Sequence, residues 1–228
     1  MLASNHSLQI SRAARRDWPW RHEPGPSKSL HPLCTTTRYA RDQRIVGRGD
    51  GGEGWHRVVW GAARLCAGRP EGSRQIVDFL LAGDCLALAQ NRPEFVVEAI
   101  TDGTVVAAYP GQALERHVVS DPRLAGDIRE MRLAAAARSQ GLILTLGRLT
   151  AMGKVSSFLL DVTERLSQGH CEVIVLPMSR YDIADYLALS VETVSRCLTS
   201  LKRRGAIVLV GRRGVRIPDR RALDAGGN

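Results

Sequence analysis

The sequence contains no apolar run approaching the roughly 18 residues that a membrane-spanning helix requires, which argues against a helical membrane protein. Aromatic residues make up only 5% of it, so its cores must be filled mainly by Leu, Val, Ile and Ala. It has no CxxC pair. Its five cysteines, Cys34, Cys66, Cys85, Cys171 and Cys197, are dispersed and odd in number. No Cys/His cluster offers a ligand set for zinc or for a cysteine-held iron–sulfur cluster, so no metal and no cofactor is expected. Scattered free thiols suit a reducing cytosol. Acidic residues are outnumbered, 23 against 32 Lys and Arg, for a formal charge of +9. That balance favours a polyanionic partner or an anionic membrane surface, with nucleic acid as the default expectation and no membrane partner expected. Arg12, Arg15 and Arg16 lie near the start, but no apolar segment follows them, so no export signal is expected and the cytoplasm is the expected compartment.

What is present divides into an α+β chain of two modest domains with a tail. Residues 1–32 mix Arg, Ser, Pro, Gly and His without periodicity and are read as a poorly ordered tail. Residues 33–120 read as an antiparallel β-roll. Val58–Trp60, Ala63–Cys66, Gln75–Leu81, Phe95–Ile100 and Val105–Tyr109 are its strand candidates. They are punctuated by the glycine-rich Gly47–Gly54 loop, the Arg69–Gly72 turn, Ala82-Gly83-Asp84 and Thr101-Asp102-Gly103. At Asp121-Pro122 the period changes. Asp121 suits a helix cap and Pro122 a first turn. Ile128, Met131, Ala135, Leu142, Leu146 and Leu149 then recur at three- and four-residue steps, interrupted by Arg138. Residues 121–149 are therefore expected to form a long dimerisation helix whose apolar seam meets a twin. A core helix within one chain is the alternative. A further amphipathic helix is expected over Val155–Leu166.

Residues 150–228 hold the informative motif. Val173–Leu176 is a short strand stopped by Pro177. Ser179 can cap a helix over Arg180–Leu187 with Asp182 in its first turn. Ala188-Leu189 makes a turn, and Ser190 can cap a second helix, Val191–Arg204. Two short helices joined this tightly, with small Ala184 at the crossing, make a helix-turn-helix. Ile183, Leu187, Leu189, Val194, Leu198 and Leu201 would be its shared core. On the second helix Glu192, Ser195 and Arg196 share one face in the turns that enter a major groove. Arginine can give two hydrogen bonds to guanine O6 and N7, while glutamate accepts from cytosine N4. An ordinary surface ion pair is the plainer alternative. Ile207–Val210, Gly211-Arg212-Arg213-Gly214 and Val215–Ile217 read as a hairpin wing. Ser179, Arg180, Ser190, Thr193, Lys202, Arg212 and Arg213 are the expected contacts to the DNA backbone.

The stretch Met178 to Arg196, MSRYDIADYLALSVETVSR, closely resembles the DNA-binding signature of the CRP–FNR superfamily of bacterial transcription regulators. The order of elements resembles that family over about Thr35 to Asp224, with a β-roll like that of cyclic-nucleotide-binding proteins, a dimerisation helix and a winged helix-turn-helix. The spacing Glu192-x-x-Ser195-Arg196 is similar to the FNR and FixK branches, which read palindromic TTGA-type sites. The cyclic-nucleotide cassette is missing: Asp84-Cys85-Leu86 follows Gly83, and Glu94-Phe95-Val96 stands where an arginine belongs. The clustered N-terminal cysteines of oxygen-sensing members are missing too, since Cys34 stands alone. Both differences favour a FixK-like protein. The resemblance then implies a homodimeric activator that needs no cofactor, touches RNA polymerase and controls microaerobic respiration or nitrogen fixation genes.

Two other readings stand beside it. The β-roll is a sensor for a cyclic nucleotide, a haem or another small molecule, with His56, His117 and His170 as haem-ligand candidates. Or the chain is an enzyme that its C-terminal module merely localises, for which no nucleophile–base pair, metal cluster or phosphate loop is found. Cys197, next to Arg196, is a candidate redox site if its basic neighbours favour the thiolate. A side chain packed along the helix flank is the plainer account.

Overall fold

A computed structural model describes residues 34–46, 54–68, 74–88, 95–148, 150–166 and 173–225. The N-terminal tail, most of the Gly47–Gly54 loop, the Arg69–Gly72 turn, Glu94, Leu149, His170 and Cys171 lie outside the described residues.

Eight strands come first: β1 Thr35–Tyr39, β2 Arg44–Val46, β3 Gly54–Trp60, β4 Ala62–Gly68, β5 Arg74–Leu81, β6 Cys85–Leu88, β7 Phe95–Ala99 and β8 Thr104–Pro110. They form two antiparallel four-stranded sheets, ordered β1-β8-β3-β6 and β2-β7-β4-β5. Val58 from one sheet packs with Val46, Ala63, Leu80 and Val97 from the other, which closes the roll. The two turns expected from glycine form for the expected reason. Gly83 has φ 101° and Gly103 φ 73°, a region that side chains with a Cβ seldom enter. Asp84 accepts a hydrogen bond from the Leu81 amide at 2.7 Å and so staples the first of them.

Helix α1, Gly111–Ser120, follows directly. The sequence reading had no helix here, because Pro110 precedes it without a side-chain cap and glycine opens it. Helix α2 spans Pro122–Arg148, and Asp121 caps it, its Oδ1 accepting from the amides of Arg123 (3.0 Å) and Leu124 (3.3 Å). Leu124 and Ile128 are buried with Leu114, Ala107 and Tyr109, and Met131 packs against the same cluster. Arg132 lies over the Trp55 ring at 4.8 Å. The seam read from the sequence thus begins by facing this chain's own roll. Ala135 and Arg138 line a cavity against the roll, and Leu142 and Leu146 are half-buried. The exposed apolar face of α2 is the opposite one. Leu133, Ile143 and Leu144 are 63%, 68% and 52% exposed, with Ala136, Ala137 and Gly147 alongside. Leu142 lies nine positions beyond Leu133, about two and a half turns, so these two point in opposite directions, while Ile143, next to Leu142, lies on the flank between the two faces. Periodicity found the helix, but the face it marked is half used within the chain.

Helix α3, Ala151–Leu166, is followed by β9 Ile174–Val175, α4 Arg180–Leu187, α5 Val191–Arg203, β10 Val208–Val210, β11 Gly214–Arg216 and α6 Arg220–Ala225. The last three strands form a sheet ordered β10-β11-β9. One hydrophobic core joins α3, α4 and α5 to the roll, with Phe79, Ile76 and Ile100 from the roll meeting Phe158, Leu159, Leu187 and Leu201. Among the described residues, no helix is long and apolar enough to cross a membrane.

Candidate nucleic-acid interface

Each helix of the motif starts on a serine. Ser179 Oγ accepts from the Asp182 amide at 3.1 Å, and the Asp182 carboxylate accepts from the Ser179 amide at 2.8 Å, a reciprocal capping box. Ser190 Oγ accepts from the Thr193 amide at 3.1 Å and lies 3.0 Å from Thr193 Oγ1. The three hydroxyls expected at the DNA backbone are therefore engaged in building the helix ends. They fix the amide-bearing N-termini, whose partial positive charge attracts phosphate. Between the helices Ala188 turns the chain at φ 51°, a left-handed conformation for a residue with a Cβ, and the Leu189 amide donates to Ala184 O at 3.0 Å. Ile183, Ala184, Leu187, Val194, Leu198 and Leu201 are buried, and Leu189 packs partly against them.

That packing leaves the other face of α5 outward. Glu192 and Arg196 are exposed and four positions apart, and neither forms an ion pair or hydrogen bond with a side chain among the described residues. The surface-pair alternative is thereby absent here. Ser195, between them, is half-buried and accepts from Arg180 Nη1 at 3.3 Å. Arg180 therefore leans from α4 onto α5. Lys202 is exposed in the last turn of α5. Gly205 at φ 74° ends that helix, its amide donating to Lys202 O at 3.0 Å.

The wing has three residues in each strand, one fewer than read for the first and shifted by one in the second, with Val210 opposite Gly214. A Cβ on Gly214 would lie 2.4 Å from Val210 O, so only glycine fits. The two tip arginines part company. Arg212 is exposed, but Arg213 is half-buried and donates from Nη1 to Pro177 O at 3.1 Å. Burial, with Arg41 nearby, holds its pKa below the usual arginine value. Arg213 thus ties the wing to the segment before α4. Cys197 is buried in the core shared by α3, α4 and α5, and that burial raises its pKa above the ordinary thiol value.

The roll has its own cavity, of about 280 Å³, lined by Leu65, Asp78, Leu80, Cys85, Ala135 and Arg138 among others. Among the described lining residues the one cation, Arg138, is already paired. Arg138 donates to Asp78 Oδ2 at 3.2 Å and lies 3.3 Å from Asp84 Oδ1. Burial pushes the Asp78 carboxyl above its ordinary range, against the pull of Arg138 and Arg165. A phosphodiester entering here would meet the Asp78 carboxyl and a guanidinium already shared between Asp78 and Asp84, so the described lining residues do not fit a cyclic nucleotide. Of the haem-ligand candidates, His56 lies in β3 and His117 in the last turn of α1. No group of three or more His, Cys, Asp or Glu able to hold a metal is found among the described residues.

A family model for the Crp-like helix-turn-helix domain matches residues 153–225. The nitrogen fixation regulation protein FixK of Azorhizobium caulinodans is 36% identical over 226 residues, covering 97% of this chain and 89% of the relative. The chain belongs to the FixK-like branch of the CRP–FNR superfamily. The transcriptional activatory protein AadR of Rhodopseudomonas palustris is 34% identical over 205 residues, covering 89% and 85% of the two chains. FixK2 from Bradyrhizobium japonicum has the same fold, with a TM-score of 0.77 at 34% identity over 86% of this chain and 98% of that one. This FixK-like chain is thus a transcription regulator with a DNA-binding winged helix-turn-helix. The sequence reading missed the side chains that hold that unit to the roll, above all Arg64. Their one signal was a lone arginine amid the apolar residues of β4.

Proposed function

We propose that this FixK-like chain works as a homodimeric activator that reads a palindromic TTGA-type site through α5. The observation that carries this reading is the pair Glu192 and Arg196, outward, one turn apart and unpaired at the start of that helix. Arg196 pairs with guanine O6 and N7, Glu192 accepts from a cytosine amino group, and Ser195 reaches a base edge or phosphate. Arg180, Lys202, Arg212 and the capped N-termini of α4 and α5, begun by Ser179, Ser190 and Thr193, hold the phosphates on either side.

One such module makes few base contacts, so affinity requires two. The twin docks along the exposed stripe of α2, Leu133, Ile143 and Leu144, and the half-buried Leu142 and Leu146 pack at its margin. An apolar stripe of this kind on a helix beside a compact domain loses stability in water that a second copy restores. The names of the relatives, a nitrogen fixation regulation protein and a transcriptional activatory protein, support activation of nitrogen fixation genes; control of microaerobic respiration, contact with RNA polymerase and a cytoplasmic site of action belong to the same proposal. The charge-neutralised cavity supports action without a nucleotide effector. Selection of bound DNA from a random pool by the purified, unliganded protein tests these points together. The expected result is a palindrome with TTGA-like arms. Recovery of asymmetric or unrelated sequences, or of nothing until a ligand is added, would overturn the reading.

A further inference from the structure

Among the described residues, Arg64 is the buried cation. It sits in the middle of β4 with 7% of its side chain exposed, and a guanidinium so placed is costly unless every donor is met. Nε donates to Glu98 Oε2 at 2.8 Å and Nη2 to Asp42 Oδ1 at 3.0 Å, both on the roll. Nη1 leaves the roll and donates to Asp182 Oδ1 at 2.8 Å. Asp182 is itself 3% exposed, and its other oxygen accepts from the amide and hydroxyl of Ser179 at 2.8 and 2.6 Å. One carboxylate therefore does two things. It caps the first helix of the DNA-binding motif and fastens that helix end to the sensor-like roll.

Neighbouring contacts act in the same direction. Arg74 lies 3.8 Å from Asp182 Oδ1 and 3.6 Å from Asp185 Oδ2, and Gln75 donates to the Asp185 carbonyl. Tyr186 packs against Phe79 with ring centroids 5.0 Å apart. These contacts grip α4, and α4 shares its core with α5. The roll is fixed in turn to α2, where Arg138 reaches Asp78. An unbroken series of packed elements thus runs from the exposed stripe of α2 through the roll and Arg64 to the reading helix.

We propose that Arg64 is a positioning residue for operator recognition: through Asp182 it sets the angle of each reading helix to the dimer axis, and so the half-site spacing the protein accepts. The proposal rests on the dimeric reading above. Two heads held rigidly engage both half-sites only at the spacing that matches them, whereas loosened heads lose that advantage and tolerate others.

The test uses full-length protein, wild type, Arg64→Met and Arg64→Lys, against palindromes whose spacers differ by one and two base pairs, and against a duplex with a single half-site. Lysine keeps the charge but has no fork to join three carboxylates, so it reports even if Arg64→Met fails to fold. Wild type is expected to prefer one spacing by about tenfold or more, with the preference reduced at least about threefold in Arg64→Lys and nearly abolished in Arg64→Met. Single half-site affinity should stay within about twofold throughout. An unchanged spacing profile in Arg64→Lys overturns the proposal, as does half-site affinity falling in step with palindrome affinity, which would mark a merely structural role. A wild-type protein with no spacing preference overturns the dimeric reading first, and the Arg64 proposal with it.

Discussion

At the scale of single residues, base-reading and phosphate-holding side chains differ in what their loss should do. Arg196→Ala is expected to cost about 1–3 kcal/mol on the cognate site and to blur preference at one guanine. Arg212→Ala should weaken binding to all sequences alike and flatten the salt dependence by about one counterion. Titrations on cognate and scrambled duplexes at several salt concentrations separate the two, and equal losses on both duplexes for both variants contradict the division. Arg213→Ala belongs with neither, because its guanidinium holds Pro177 O, and its effect should appear first as lost thermal stability. Cys197 offers a plainer check. Its thiol is buried and its pKa raised, so peroxide should leave DNA affinity unchanged, and alkylation in the native state should be slow beside the unfolded chain. These side-chain identities were readable in the sequence because a capped helix start fixes which positions face outward. The turn of Arg213 toward the protein was not, since nothing local distinguishes it from Arg212.

At the scale of elements, the turn between α4 and α5 carries strain that can be relieved. Ala188 has φ 51°, where a Cβ costs about 1–2 kcal/mol, offset in part by the greater freedom of glycine in the unfolded chain. Ala188→Gly should therefore gain about 0.5 kcal/mol, read as a higher urea midpoint with an unchanged slope. Helix α2 shows what periodicity can and cannot disclose. Its cap, its length and one apolar seam were read from the sequence, but the second stripe of Leu133, Ile143 and Leu144 was not, and hydrophobic spacing does not say which stripe meets the roll and which meets water. Ile128 and Met131 are drawn inward by Tyr109 and Leu114, residues on other elements whose approach no local pattern encodes. Replacing Leu144 with Asp should break the dimer while the protomer stays folded, observed as a halved mass in sedimentation with retained circular dichroism. A variant that remains dimeric would shift the interface elsewhere on the surface. Helix α1 was illegible for a simpler reason, the absence of any side-chain cap at Pro110.

At the scale of the whole molecule, the boundary between roll and DNA-binding unit disappears into one core. Arg64 meets Asp182 across 118 positions of sequence, a pairing that no spacing rule could anticipate. Because the buried cluster runs from Ile76 and Phe79 to Leu187 and Leu201, roll and head should unfold together. A single calorimetric transition with matching van't Hoff enthalpy is expected, and two resolved transitions would contradict a shared core. The aromatic trio at that junction sets a limit on dissection. Phe79 contributes a ring from the roll, while Phe158 and Tyr186 come from the C-terminal part. A protease that severed the chain between α2 and α3 would release a C-terminal fragment with two of those rings bare and Asp182 stripped of its guanidinium. Such a fragment would self-associate before it found an operator, so cleavage at that joint would silence the regulator and not liberate a free-standing reader.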